Sequence, residues 1–168
     1  MSGMNLLGVS SISREGKNLF VMKYIPIPIF EQIMLKYAFA VAIGVFSTLL
    51  GILPVAFYIG LTGLEILMVS IAAVIGALLS QAIGLLFDVN SPYLNWDVDY
   101  KAVKQNINFL WWSLVCLGLT AGSVALMMMP GISVWLSAVL FILVPLLLLT
   151  ASLALIYKLT KSSFARLI

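Results

Sequence analysis

The sequence contains no histidine, a single cysteine, and charged side chains at only 9% of its 168 positions. Each shortage removes a class of function. Histidine is the side chain that most often moves protons near neutral pH, and the commonest metal ligand. Its absence, together with the lack of paired cysteines or of HExxH- and GxSxG-type runs, leaves no constellation of acid, base or ligand to carry chemistry. A membrane-embedded enzyme is therefore the weakest reading, and no metal or cofactor is expected on the chain. The lone Cys116 excludes an internal disulfide and, lying in an apolar run, reads as a small hydrophobe. Soluble domains carry about 25% charged residues. This chain is 63% hydrophobic with a mean hydropathy of +1.17, so it reads as an all-α integral membrane protein.

Four apolar runs are long enough to cross a bilayer: 36–60, 64–87, 109–129 and 133–157. Each holds roughly 20 residues or more, about 30 Å of helix. They must be helical, because lipid cannot satisfy free backbone groups. Only "LTG" joins the first pair and only "PGI" the second, and neither carries a basic residue. All nine basic residues fall elsewhere: Arg14, Lys17, Lys23 and Lys36, then Lys101 and Lys104, then Lys158, Lys161 and Arg166. The positive-inside rule places those three regions in the cytoplasm. Edge aromatics agree, with Tyr37, Trp111, Trp112 and Tyr157 on the inner side and Tyr58 and Trp135 on the outer. The expectation is two helical hairpins in the cell membrane with both termini cytoplasmic. Residues 1–35 form a cytoplasmic segment and 36–157 the four-span domain, with a loop at 88–108. Residues 158–168 form a basic tail. The opening "MSGMNLLGVSSIS" does not read as a secretory signal, having no basic n-region and a short apolar core.

No Lys, Arg, Asp, Glu or His lies near the middle of any span; Glu65 is at the outer end of the second. Intramembrane ionisable groups mark proton and ion pathways, so their absence argues against a self-powered proton-coupled pump. Gln81, the one large polar side chain in a span, is expected to bond a neighbouring helix. Ala72, Gly76, Ser80 and Gly84 repeat every four residues along the second span, and Gly118 and Gly122 form a GxxxG pair in the third. Both read as helix-packing faces within the bundle, with a dimer face as the alternative. Pro54 and Pro145 are expected to kink the first and fourth spans.

The cytoplasmic segments carry more information. Ile12, Leu19, Met22 and Ile25 stand at near-helical spacing among Arg14, Glu15, Lys17 and Asn18, which predicts a short amphipathic helix for a membrane surface or a partner's groove. Pro26 and Pro28 end it, and Pro28 suits the start of a new helix, giving an elbow into the first span. "SISREGKN" fails as a phosphate loop, since Ser11 stands for the first Gly and Asn18 for the magnesium-holding Ser/Thr. In the central loop "DVNSP" predicts a stop and turn. Asn95 is then expected to cap a helix through "WDVDYKAVKQNIN" with Trp96, Tyr100, Val103 and Ile107 on one face. Asp97 and Asp99 point to different faces of such a helix, so a metal site is disfavoured and an Asp97–Lys101 pair is expected.

These two segments also resemble a known family. "SISREGKNLFVMKYIPIPIFEQIMLK" resembles the first intracellular loop of type 2 ABC exporter permeases, in particular those of Gram-positive bacteria. "DVNSPYLNWDVDYKAVKQNINFL" resembles their second cytoplasmic loop. The resemblance implies a transport component without enzymatic activity, whose coupling helix docks in a groove of a cytosolic ATP-binding subunit. Carried over by motif, Arg14, Glu15, Gly16, Lys17, Lys23, Pro26 and Pro28 would form the coupling and elbow region. Trp96, Lys101, Lys104, Gln105 and Asn106 would belong to the second loop. ATP would be bound by the partner subunit. Such permease units usually have six spans, so these four imply a truncated permease or one completed by another polypeptide, with a homomeric or heteromeric second permease chain. Membrane lipid is the other expected partner, and no nucleic acid is expected. An apolar pathway would suit lipids, hydrophobic peptides or antibiotics equally. The alternative reading is a small non-transporting membrane interaction or regulatory protein of the immunity type.

Overall fold

A computed structural model describes residues 6–98, 100–128 and 134–162, with the side chains of residues 127, 134, 135, 137 and 138 left aside. Asp99, the 130–132 connection, the side chain of Trp135 and the end of the tail with Arg166 lie outside the described residues. The described chain is all-α. An irregular segment at 6–12 leads into a 3-10 helix, Ser13–Lys23. Five α-helices follow: α1 (Ile29–Ile59), α2 (Gly63–Asn90), α3 (Lys101–Lys104), α4 (Ile107–Met128) and α5 (Val134–Ser162). Four of them, all but α3, are long and apolar enough to cross a membrane.

The helices extend past the predicted runs, mostly at the end that carries the basic residues, called here the basic end. α1 starts at Ile29, beside Pro28 as expected and ahead of the apolar run at 36: Pro28 supplies an extended N-cap, and Phe30, Gln32 and Ile33 have partners to bury against. α2 runs past the apolar run to Asn90 and ends inside "DVNSP", where a stop is expected, with Asp88 and Val89 buried and held. Pro54 and Pro145 sit inside α1 and α5, and both helices continue through them.

At the opposite end the α1–α2 connection is built from local chemistry. Gly60 adopts φ 77°, the left-handed conformation a helix C-terminus favours, and closes the last turn onto Ala56 and Phe57. Thr62 then caps α2 in a reciprocal box: its hydroxyl accepts from the Glu65 N–H, and the Glu65 carboxylate accepts from the Thr62 N–H at 2.8 Å.

α2 is the central and most buried of the long helices. α1 and α5 pack along it, and α4 leans on it through Trp112, whose indole N–H donates to the Ser80 carbonyl at 2.8 Å. The apolar core sits at the basic end. There Leu19 and Met22 of the 3-10 helix join Ile12, Ile33 of α1, Leu85 and Val89 of α2, and Ile156 of α5. Elsewhere the long helices present apolar side chains outward, such as Phe39, Phe46 and Phe57 on α1 and Leu117 on α4, as a lipid-facing surface requires.

The amphipathic segment departs from its expected form. It is a 3-10 helix interrupted at Gly16 (φ 51°, ψ −129°), and its buried residues are Ser13, Gly16, Leu19 and Met22, one in every three. A 3-10 helix repeats every three residues, so one row faces inward. The expected α-helical face through Ile12, Leu19, Met22 and Ile25 therefore does not form as a unit: Ile25 is exposed beyond the helix end. The elbow does form, with an Ile27 N–H to Ile25 carbonyl bond of 2.8 Å drawing the chain round Pro26 into α1.

Candidate functional site

Most of the buried polar side chains among the described residues lie toward the basic end, around the segment that the sequence singles out. Asp88, in the last turn of α2, is fully buried. Its Oδ2 accepts from the backbone N–H groups of Ile12 (2.6 Å) and Ser13 (3.0 Å), and its Oδ1 accepts from the Ser13 hydroxyl. A buried carboxylate needs such donors to offset lost hydration. The Ser13 hydroxyl also accepts from the Tyr93 N–H (2.9 Å) and from Asn106 Nδ2 (3.1 Å), while Asn106 Oδ1 accepts from the Asn108 N–H at the start of α4. Asn108 in turn bonds Ser91 through both ends of its amide. One side chain, Ser13, thus ties the N-terminal segment to α2, the central loop and the start of α4. Among the described residues no buried side-chain N or O atom lacks a partner.

The approach of the N-terminal segment to α2 needs two small residues. A Cβ on Gly8 would lie 2.6 Å from Gln81 Oε1, and a Cβ on Gly84 would lie 3.0 Å from the Val9 nitrogen. Gln81 accepts from the Gly8 N–H at 3.1 Å, a partner in this segment that its place in the second span did not suggest. The residue-four stripe of α2 divides accordingly. Gly84 meets Val9, and Ser80 meets Trp112 and Cys116, but Gly76 faces open space and Ala72 is half-buried. Gly118 and Gly122 also have nothing within 4 Å, so the GxxxG face of α4 packs against no described part of this chain.

α1 reaches back to the same assembly. Gln32 donates to the carbonyls of Met22 (3.0 Å) and Ile27 (2.7 Å), fixing both sides of the elbow. One turn on, Lys36 pairs with Glu15 and donates to the Ser11 carbonyl at 3.2 Å. Gln32 and Lys36, four apart on one helix face, thereby hold the segment at two points.

The central loop closes over it. The expected helix from Asn95 does not form: Asn95 and Trp96 are irregular, helix is confined to Lys101–Lys104, and Ile107 begins α4. Trp96 turns inward, donating its indole N–H to the Ser13 carbonyl at 2.8 Å, with its ring where a side chain on Gly16 would be. Asp97 does pair with Lys101, at 3.4 Å, from a bend and not from a helix. Lys104 and Gln105 are exposed. Between the 3-10 helix and α3 lies an open hollow of about 590 Å³, lined by Arg14, Glu15, Asn18, Trp96, Tyr100 and Val103. No three His, Cys, Asp or Glu side chains cluster as metal ligands among the described residues.

Of the residues singled out beforehand, Gly16, Glu15, Trp96 and Asn106 lie in this assembly. Arg14, Lys17 and Lys23 are on its exposed surface, and Pro26 and Pro28 form its exposed elbow. Sequence reasoning missed Ser13 and Asp88. The signal was present: Asp88 continues the 72, 76, 80, 84 stripe by one further step of four. No family model, curated protein or solved structure matches the chain.

Proposed function

We propose that the chain is the membrane-spanning permease component of an ATP-driven ABC exporter, and that a separate ATP-binding subunit drives it from the cytoplasmic side. The observation that carries this reading is the union of the two stretches resembling the permease loops. Ser13 and Trp96 are 83 positions apart, yet they are hydrogen-bonded, and Ser13 and Asn106 likewise. A segment fixed to α1 by Gln32 and Lys36, to α2 by Asp88 and to α4 by Asn106 has the mechanical property a coupling element needs. A push on it is delivered to three spans together. The hollow at Arg14, Asn18, Tyr100 and Val103 is where the ATP-binding subunit would seat, with both termini on the same cytoplasmic side of the cell membrane. Glu15, held by Lys36, serves the internal frame in this reading. The ATP stays on the partner, and a second permease chain, homomeric or heteromeric, completes the pathway.

The test is a mild-detergent pull-down from native membranes, comparing the wild type with Arg14→Ala/Tyr100→Ala. The expected result is a stoichiometric ATP-binding subunit with the wild type, and its loss from a variant that melts at the wild-type temperature. Recovery of the wild-type protein alone in folded form overturns the proposal and favours the non-transporting, immunity-type alternative. Undiminished ATPase recovery with the variant removes the hollow from the interface.

A further inference from the structure

The Ser13–Lys23 segment presents three rows of residues, each spaced by three, with the helical period running unbroken only beyond Gly16. One side (Ser13, Gly16, Leu19, Met22) is buried on the bundle. A second begins with Glu15 and Asn18, which line the hollow beside α3. The third runs Arg14, Lys17, Phe20 and Lys23, and every member is exposed. Arg14 stands at the rim of the hollow; Lys17, Phe20 and Lys23 lie outside it. None of the three cations forms an ion pair with another described residue. Phe20 is 54% exposed and meets Tyr24 edge-on, with ring centroids 6.4 Å apart.

The depth of this row follows from the helices it rests on. α1, α2 and α5 contain 31, 28 and 29 residues. At 1.5 Å per residue they measure about 46, 42 and 44 Å, against a hydrocarbon core of about 30 Å. Their terminal turns therefore stand in the headgroup layers. Leu19 and Met22 pack on Ile33, Leu85 and Ile156, each within about two turns of its helix end at the basic end. The 3-10 helix consequently lies alongside the span ends, at headgroup depth.

We propose that Lys17, Phe20 and Lys23, with Arg14 at their corner, form a binding surface for anionic phospholipid headgroups. The ammonium groups take the phosphates, and the Phe20 ring enters the boundary with the acyl chains. Charge complementarity selects the occupant: cations with no ion-pair partner among the described residues, carried at the depth of the headgroups, meet the negative potential of an anionic leaflet. Apart from Arg14, which also stands at the rim of the hollow, this surface does not depend on the ATPase reading, which uses the hollow on the neighbouring side.

The test places a polarity-sensitive dye at Val21→Cys in a Cys116→Ser background, in nanodiscs of phosphatidylcholine with increasing phosphatidylglycerol. The expected result is a blue shift that saturates with phosphatidylglycerol and is reversed by salt. In K17Q/K23Q the half-saturating fraction should rise by about fivefold per cation removed. An emission that ignores phosphatidylglycerol overturns the proposal, as does a shift of unchanged midpoint in K17Q/K23Q. Where that variant fails to fold, the wild-type salt titration decides: a shift that persists at high salt overturns the assignment. A dye buried only after a soluble protein is added also overturns it, in favour of a protein contact.

Discussion

The indole of Trp96 fills the place where Gly16 would carry a side chain. A Cβ there would lie 2.6 Å from the Trp96 ring, and the Gly16 backbone, at φ 51°, is one that L side chains rarely adopt. Two independent constraints, backbone conformation and packing, meet at one residue. Gly16→Ala should destabilise the protein by about 1–3 kcal/mol, measured by thermal unfolding in detergent. Because part of the cost is the clash, the loss should be less than additive with Trp96→Ala. Strict additivity would mean the backbone alone sets the requirement.

Asp88 accepts from three donors around Ile12 and Ser13. Asp88→Ala strands these donors in a buried place and should cost about 3 kcal/mol or more. Hydrogen exchange at the Ile12 and Ser13 amides should accelerate together. Asp88→Asn keeps an acceptor oxygen and should show a smaller effect on both.

The glycines of the long helices should respond unequally to bulk. Gly84→Leu drives a side chain into the backbone of Val9 and should lower the melting temperature by several degrees, about 1–3 kcal/mol. Gly118→Leu enters open space on α4 and should leave the isolated chain's melting temperature unchanged. If Gly118→Leu weakens recovery of a second copy or another membrane chain in pull-down, that face is an interface between chains.

Single cysteines in a Cys116→Ser background report orientation. Cysteines at Asn18, Lys104 and Lys161 should all react with an impermeant reagent from the same side of sealed vesicles. A cysteine at Gly60 should react only from the other. Labelling of Asn18→Cys and Lys161→Cys from opposite sides would break the two-hairpin arrangement.

The spans were legible because long apolar runs bounded by turns have few alternatives in lipid. The assembly at the basic end was legible only in part. Gly16 and Trp96 stood out as motif members, but nothing in either run says that one fills the other's empty side. Ser13 and Gly16 are small or polar, so a reader looking for an apolar face assigns them to the surface; they are buried because the helix has period three and because Asp88 and Trp96 arrive from far along the chain. Asn95 looked like a cap for the same reason. Its helix is displaced once Trp96 finds a better partner in Ser13. Asp88 read as the first residue of a turn, since a lone carboxylate after an apolar run ordinarily meets water. Its donors come from residues 75 and 76 positions earlier.

The two ends of the bundle differ in when they can exist. The capping box of Thr62 and Glu65 joins residues three apart and can close as soon as that stretch is synthesised. The basic end waits: Gly8 needs Gln81, 73 residues later, and Val9 needs Asn106, 97 residues later. Loop closure over such separations comes late in folding. The stretch around Gly8 and Val9 is thus made well before the partners that fasten it. During biosynthesis the Gly8–Ser13 backbone remains uncovered until α2 and the central loop have been made, an interval in which a nascent chain is most open to capture by a chaperone or a protease.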